Sequence, residues 1–195
     1  MDKPARAWRF ESSPAHIMPT QYFIGIVPPV EIQNRIQEFQ RQNRRNLFPK
    51  RVEPHITVKA PGGLAVDESW LPAVRKAVGD LQGFDISFGG IGYFGDRVLF
   101  IEAKAPELQE LNEALVKATN TPIEILAEFK EDKYHGHLTL GLRDKKFPDS
   151  DLLLAGERAK RELANLPPFR ADFVRVFKKI DFGAWEKMED IPFGK

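Results

Sequence analysis

The sequence predicts an α+β fold made of two similar lobes that face each other across a cleft. Three observations support it. Strand-like and helix-like patterns alternate along the chain, the alternation runs through one order twice, and a His-x-Thr triplet holds the same slot in each pass.

The elements follow in order. Residues 1–19 carry three prolines and little periodicity, and are read as an N-terminal extension. Tyr22-Phe-Ile-Gly-Ile-Val27 is a short run of strand formers closed by Pro28-Pro29. From Val30 onward Ile32, Ile36 and Phe39 recur at helical spacing, so a first helix is expected to about Arg45. Pro54 introduces a strand over 55–60, which Pro61-Gly-Gly63 ends. A second amphipathic helix spans about 67–81, with Asp67 as its cap. Strands 84–94 and 97–103 come next, joined across Gly95-Asp96. A helix then runs from Pro106, a residue suited to the first helical position, to about Thr119. The strand 137–142, a helix over 149–163 and strands 173–180 and 185–191 complete the chain. Each half reads strand, helix, His-x-Thr strand, helix, strand, strand. The expected organisation is one domain over 20–195 with pseudo-repeats at 20–103 and 97–192.

Composition narrows the chemistry. The 195 residues suffice for a substantial core, and 42% hydrophobic with 29% charged is ordinary for a globular chain. A net charge of +1 supplies no global field, so affinity for a polyanion must come from a local patch. The absence of cysteine removes disulfides, thiolate zinc sites and a cysteine nucleophile. No apolar run approaches the roughly 20 residues that span a bilayer. Met1 to Thr20 lacks the apolar core of a signal peptide. A cytoplasmic monomer without membrane contact, metal or cofactor is expected.

The histidine strands carry the functional signal. Two of the four histidines are followed two residues later by threonine, although threonine occurs only five times. On a strand, residues i and i+2 point the same way. His55, Thr57 and Lys59 are thus expected on one face, with Ile56, Val58 and Ala60 on the other. His137 and Thr139 are set likewise against Leu138, Leu140 and Leu142. In-line displacement at phosphorus needs a base for the attacking oxygen and an acid for the leaving one. Two imidazoles that titrate near 6.5 can divide those roles, and threonine hydroxyls can donate to the non-bridging oxygens. His55 and His137 are the expected acid–base pair, with Thr57 and Thr139 as phosphate holders.

The pair Pro-His-Ile-Thr-Val and His-Leu-Thr-Leu, in duplicated lobes of this length, resembles the 2H phosphoesterase superfamily, and within it the bacterial 2′-5′ RNA ligase and cyclic phosphodiesterase group. The resemblance covers about 20–192. It implies a bilobal fold with two antiparallel sheets lining a central groove and helices outside. It also implies 2′,3′-cyclic phosphodiesterase or reversible 2′-5′ chemistry on RNA ends or nucleotides. In the hydrolytic direction it implies that His137 activates water and His55 protonates the leaving hydroxyl. Relatives often place an arginine three residues after the second threonine, whereas here that position is Leu142 and the arginine is Arg143. If the strand continues without a bulge, Arg143 shares the face of Thr139.

Further candidates contact substrate. Lys59 and Arg143 are expected at the phosphate. The stretch 41–51 carries five basic residues and no acid, so Arg44, Arg45 and Arg51 are candidates for a phosphate-backbone track, with Phe48 for base stacking. Phe94, Tyr93 and Trp185 are read first as core. His135, two residues before His137, raises a metal-site alternative, but nothing comparable accompanies His55. His16 is read as incidental. Two other readings stay open: a nucleotide- or RNA-binding module with little turnover, and a 2H enzyme acting on a small non-RNA cyclic phosphodiester.

Overall fold

The computed structural model of the chain describes residues 21–124, 134–180 and 183–194. The extension read over 1–19, with His16, lies outside them. Strand β1 (Tyr22–Ile26) is buried along its whole length, and Pro28-Pro29 stops it. The same prolines start helix α1 (Val30–Arg41), because the Pro29 carbonyl accepts from the Ile32 and Gln33 amides at 3.0 Å each. The helix ends four residues earlier than its periodicity suggests. There the Asn43 side chain accepts from the Arg45 amide at 3.0 Å, an Asx-type turn that competes with helix.

A 3₁₀ turn (Phe48–Lys50) leads to β2 (Ile56–Lys59) and α2 (Leu71–Gly79). Asp67 does not cap α2; its carboxylate accepts from the Ser69 amide at 3.1 Å in the preceding turn. Strands β3 (Phe84–Phe94) and β4 (Val98–Lys104) follow, then α3 (Glu107–Ala118), β5 (His137–Leu142) and α4 (Asp149–Glu162). The chain closes with β6 (Phe169–Ala171), β7 (Phe173–Lys179) and β8 (Trp185–Pro192). Strand β6 was not expected. Its three residues pair with Phe84 to Ile86 and are too few to show an alternation.

The expected pair of sheets is corrected to one antiparallel sheet of eight strands, in the order β6-β3-β4-β5-β2-β1-β7-β8. Its two halves are joined by the pairing of Ile56 with Leu138, so β2 and β5 touch where they begin and then part. The order also interlaces the chain. Strand β3 joins β4 and β5, while β7 and β8 join β1 and β2.

Helices pack on one face of this sheet. Ile24, Ile56, Val58, Leu138 and Leu140 meet Ile36, Val74, Leu111, Leu115 and Ala159 in a continuous core. The other face carries a smaller cluster of Phe23, Val27, Val52 and Phe177, with Phe48 and Trp185 against it. That face also bears the polar side of the two histidine strands.

Candidate active site

Strands β2 and β5 sit side by side at the centre of the sheet, each with an apolar underside. Ile56, Val58, Leu138 and Leu140 are fully buried, whereas His55, Thr57, His137 and Thr139 are only partly buried. Extending the Ile56–Leu138 register by one residue each way sets Thr139 across from His55 and His137 across from Thr57. The four side chains form a quadrilateral with the imidazoles on one diagonal. Diagonal neighbours in an antiparallel pair stand about 7–8 Å apart, somewhat less at Cβ.

The two imidazoles are held alike. His55 Nδ1 lies 2.8 Å from the Glu53 carbonyl oxygen, and His137 Nδ1 lies 2.7 Å from the His135 carbonyl oxygen. A carbonyl only accepts, so each Nδ1 carries the proton and each Nε2 is left for proton transfer. Glu53 is itself anchored: Arg175 Nη1 reaches its carboxylate at 2.7 Å and grips Asp190 at 2.6 and 2.8 Å.

Each ring also leans on stacked phenylalanines. His55 lies 4.7 Å from Phe23 and 5.4 Å from Phe177, whose own rings are 4.4 Å apart. His137 lies 4.7 Å from Phe94 and 5.4 Å from Phe100, which stack at 4.3 Å. The two environments differ in depth. Phe23 and Phe177 are buried, whereas Phe94 is 38% exposed. Burial pushes the His55 pKa down to about 4, and a charge on His137 lowers it further, against the pull of the Glu53 carbonyl. Burial also lowers His137, against the pull of the His135 carbonyl, and a charge on the His135 ring adds a smaller depression.

Immediately after each threonine the strand bulges. On β2, Thr57 pairs with Gly25 but Lys59 with Ile24; on β5, Thr139 pairs with Phe100 but Gly141 with Leu99. One extra residue turns two successive positions the same way. Val58 and Lys59 are both buried, as are Leu140 and Gly141.

The bulges correct two expectations. Lys59 does not share the face of Thr57. It is 0% exposed on the core side, and its ammonium donates to the Ala60 and Gly62 carbonyls at 2.9 Å each. On β5 the alternation is displaced by one, so Leu142 rather than Arg143 takes the face of Thr139. Arg143 ion-pairs with Asp96 at 2.7 Å and Asp149 at 2.8 Å, beside an open cavity of about 650 Å³ that Arg97 and Lys145 also line.

The basic stretch lies on the surface. Arg44 and Arg45 are exposed, Arg45 pairs with Asp151 at 3.4 Å, and Arg51 with Asp144 at 3.7 Å. Phe48 packs on the aromatic cluster beneath His55 and is half-buried. His135 is exposed and touches Phe94 and Phe100 at 5.7 and 5.5 Å. Among the described residues no three His, Asp or Glu gather in a metal-binding group.

Four residues at the site had not been anticipated. Tyr134 donates to the Thr57 carbonyl at 3.2 Å, and Asn112 to that of Val58 at 3.0 Å. Gln40 donates to the Thr139 carbonyl at 3.2 Å, and Asn46 to that of Leu140 at 2.9 Å. No sequence signal marked them, because Gln40 and Asn46 stand in polar surroundings and Asn112 on a helix with charged neighbours, although all three are buried in the structure.

The family model of the 2′-5′ RNA ligase superfamily matches residues 28–178. No curated protein matches the sequence. Escherichia coli LigT, in a crystal structure complexed with 3′-AMP, is 16% identical at a TM-score of 0.59, covering 91% of this chain and 99% of its own. TT0787 of Thermus thermophilus is 20% identical at 0.60, covering 90% and 99%. A conserved protein of unknown function from Agrobacterium tumefaciens, ATU0111, is 10% identical at 0.57, covering 89% and 87%.

Proposed function

The chain belongs to the 2′-5′ RNA ligase superfamily, and from that premise we propose that it hydrolyses 2′,3′-cyclic phosphates, or acts reversibly on 2′-5′ linkages, in RNA ends or nucleotides. The observation that carries this reading is the matched tautomer of the two imidazoles. Each has its Nδ1 committed to a carbonyl and its Nε2 available on a shared face.

The roles divide by burial. His55 has the lower proton affinity, so in the singly protonated site the proton rests on His137. This ordering is the reverse of the one the sequence resemblance implies. His55 Nε2 takes a proton from water as the water oxygen attacks phosphorus. The bond from phosphorus to one ribose oxygen breaks, and His137 Nε2–H protonates that oxygen, leaving a phosphomonoester. Thr57 and Thr139 hydroxyls donate to the non-bridging oxygens as charge builds there. A bound anion favours the imidazolium form and raises the share of competent sites.

Two further observations bear on substrate. Phe94 offers an exposed ring beside His137, suited to a nucleobase. Leu142 leaves an apolar side chain where relatives often carry an arginine, which favours the binding-module alternative. The duplicated-lobe reading is retained as a proposal, with motif strands β2 and β5 as equivalent members. The test is a panel of 2′,3′-cyclic nucleotides and 2′-5′ linked oligonucleotides without added metal. Turnover of either class supports an enzyme; tight binding of all with turnover of none selects the binding module.

A further inference from the structure

Buried backbone carbonyls need partners, and a bulge takes carbonyls out of the strand ladder. Both histidine strands meet this need with side chains from elsewhere. The threonine carbonyl and the one after it are each taken by a different donor: Tyr134 and Asn112 at β2, Gln40 and Asn46 at β5.

The donors are exchanged between the halves of the chain. Asn112 belongs to α3 and Tyr134 lies three residues before the start of β5, yet both serve β2. Gln40 belongs to α1 and Asn46 follows it, yet both serve β5. From these contacts we infer that Asn46 and Asn112, with Gln40 and Tyr134 beside them, are positioning residues for the two His-x-Thr motifs, each half of the chain aligning the motif of the other.

The physical reason is register. Side chains alternate with a period of two, so a bulge that moves by one residue turns a threonine or histidine from the open face into the core. The site needs the bulge to fall after Thr57 and after Thr139, not one residue to either side. An amide donor aimed at the Val58 or Leu140 carbonyl stabilises that placement alone. The inference rests on the two-histidine reading for its catalytic consequence, but the alignment itself is measurable without turnover.

The experiment compares Asn112→Leu and Asn46→Leu, which remove the donors while keeping the branching and the number of heavy atoms, with Asn112→Gln and Asn46→Gln, which keep an amide. Val78→Ala, in α2 and fully buried, serves as a control of matched stability loss. Each is assayed on a 2′,3′-cyclic nucleotide at a temperature where circular dichroism shows it folded. The histidine ring nitrogens are titrated by NMR.

Each Leu variant is expected to lose tenfold or more in kcat per folded molecule, while Val78→Ala stays within twofold. Asn112→Leu is expected to move the titration of His55, and Asn46→Leu that of His137, with the Gln variants recovering most of both. Leu variants with unchanged titrations and wild-type kcat per folded molecule overturn the inference. A wild type without turnover removes the functional reading instead. The titrations alone then decide: moved curves support the alignment and unmoved ones overturn it.

Discussion

Gly25 of β1 lies beneath the imidazole of His55. A Cβ placed there would stand 3.4 Å from His55 Cδ2 and 3.1 Å from the Ile56 carbonyl oxygen. The missing side chain lets the ring lean toward Phe23 and Phe177. A branched side chain at this position pushes the ring off the shared face. Gly25→Val is expected to lower kcat on a cyclic phosphodiester by about 10²-fold, the usual cost of an ångström-scale misplacement, with a smaller change in KM. Steady-state kinetics on the folded variant check this, and a wild-type kcat contradicts it.

The depressed histidines place the pH optimum. In the free enzyme kcat/KM rises through about pH 4 as His55 loses its proton. It falls again below the ordinary histidine value of about 6.5 as His137 loses its own. The kcat/KM maximum is therefore expected on the acidic side of 6.5. Bound phosphodiester stabilises the imidazolium, so the basic limb of kcat lies at higher pH. A maximum of kcat/KM above pH 7 contradicts the burial of these rings.

The same burial links stability to pH. His55 titrates near 6.5 in the unfolded chain and near 4 in the folded one. Above 6.5 it is neutral in both states. Between 6.5 and 4 the unfolded chain binds a proton that the folded chain refuses, so stability present above 6.5 is lost as pH falls toward 4. The loss is on the order of 3 kcal/mol from this residue. Urea unfolding at pH 7.5 and 4.5 should show wild type losing more than His55→Gln, and equal losses would refute the point.

Phe94 and Arg143 should respond in opposite ways. Base stacking on an aromatic ring is worth about 1–3 kcal/mol, so Phe94→Ala should raise KM for a cyclic nucleotide about tenfold or more. For a cyclic phosphodiester without a base KM should be unaffected, any change falling in kcat through the contact of Phe94 with His137. Arg143→Gln should change neither by more than about twofold, since Asp96 and Asp149 already neutralise the guanidinium. Surface ion pairs of this kind carry little energy. A KM for nucleotide that follows Arg143 instead of Phe94 reverses the substrate assignment.

The sequence disclosed the strand and helix order because most elements bury one regular stripe. Strand β5 falls on 137–142 and α4 on 149–162, within a residue of their periodic signal. The His-x-Thr pair was legible for a related reason: a spacing of two on a strand places both groups on one face. What escaped detection depends on registry. A bulge leaves no mark in hydrophobic alternation over four residues, so Lys59 read as open and is buried, and Arg143 read as aligned with Thr139 and is not. Likewise Asn46 and Asn112 sit in polar, turn-like or helical contexts that hide their partners 94 and 54 residues away. The single sheet was hidden because one pairing, Ile56 with Leu138, joins its halves.

The most direct measurement is hydrolysis of a 2′,3′-cyclic nucleotide by wild type, His55→Ala and His137→Ala, each with a chelator present. General acid–base groups contribute about 10²–10⁴-fold each. Loss of that size in both single variants, with wild type indifferent to the chelator, is the expected result. Turnover that survives either substitution at near wild-type rate contradicts a site built on two imidazoles.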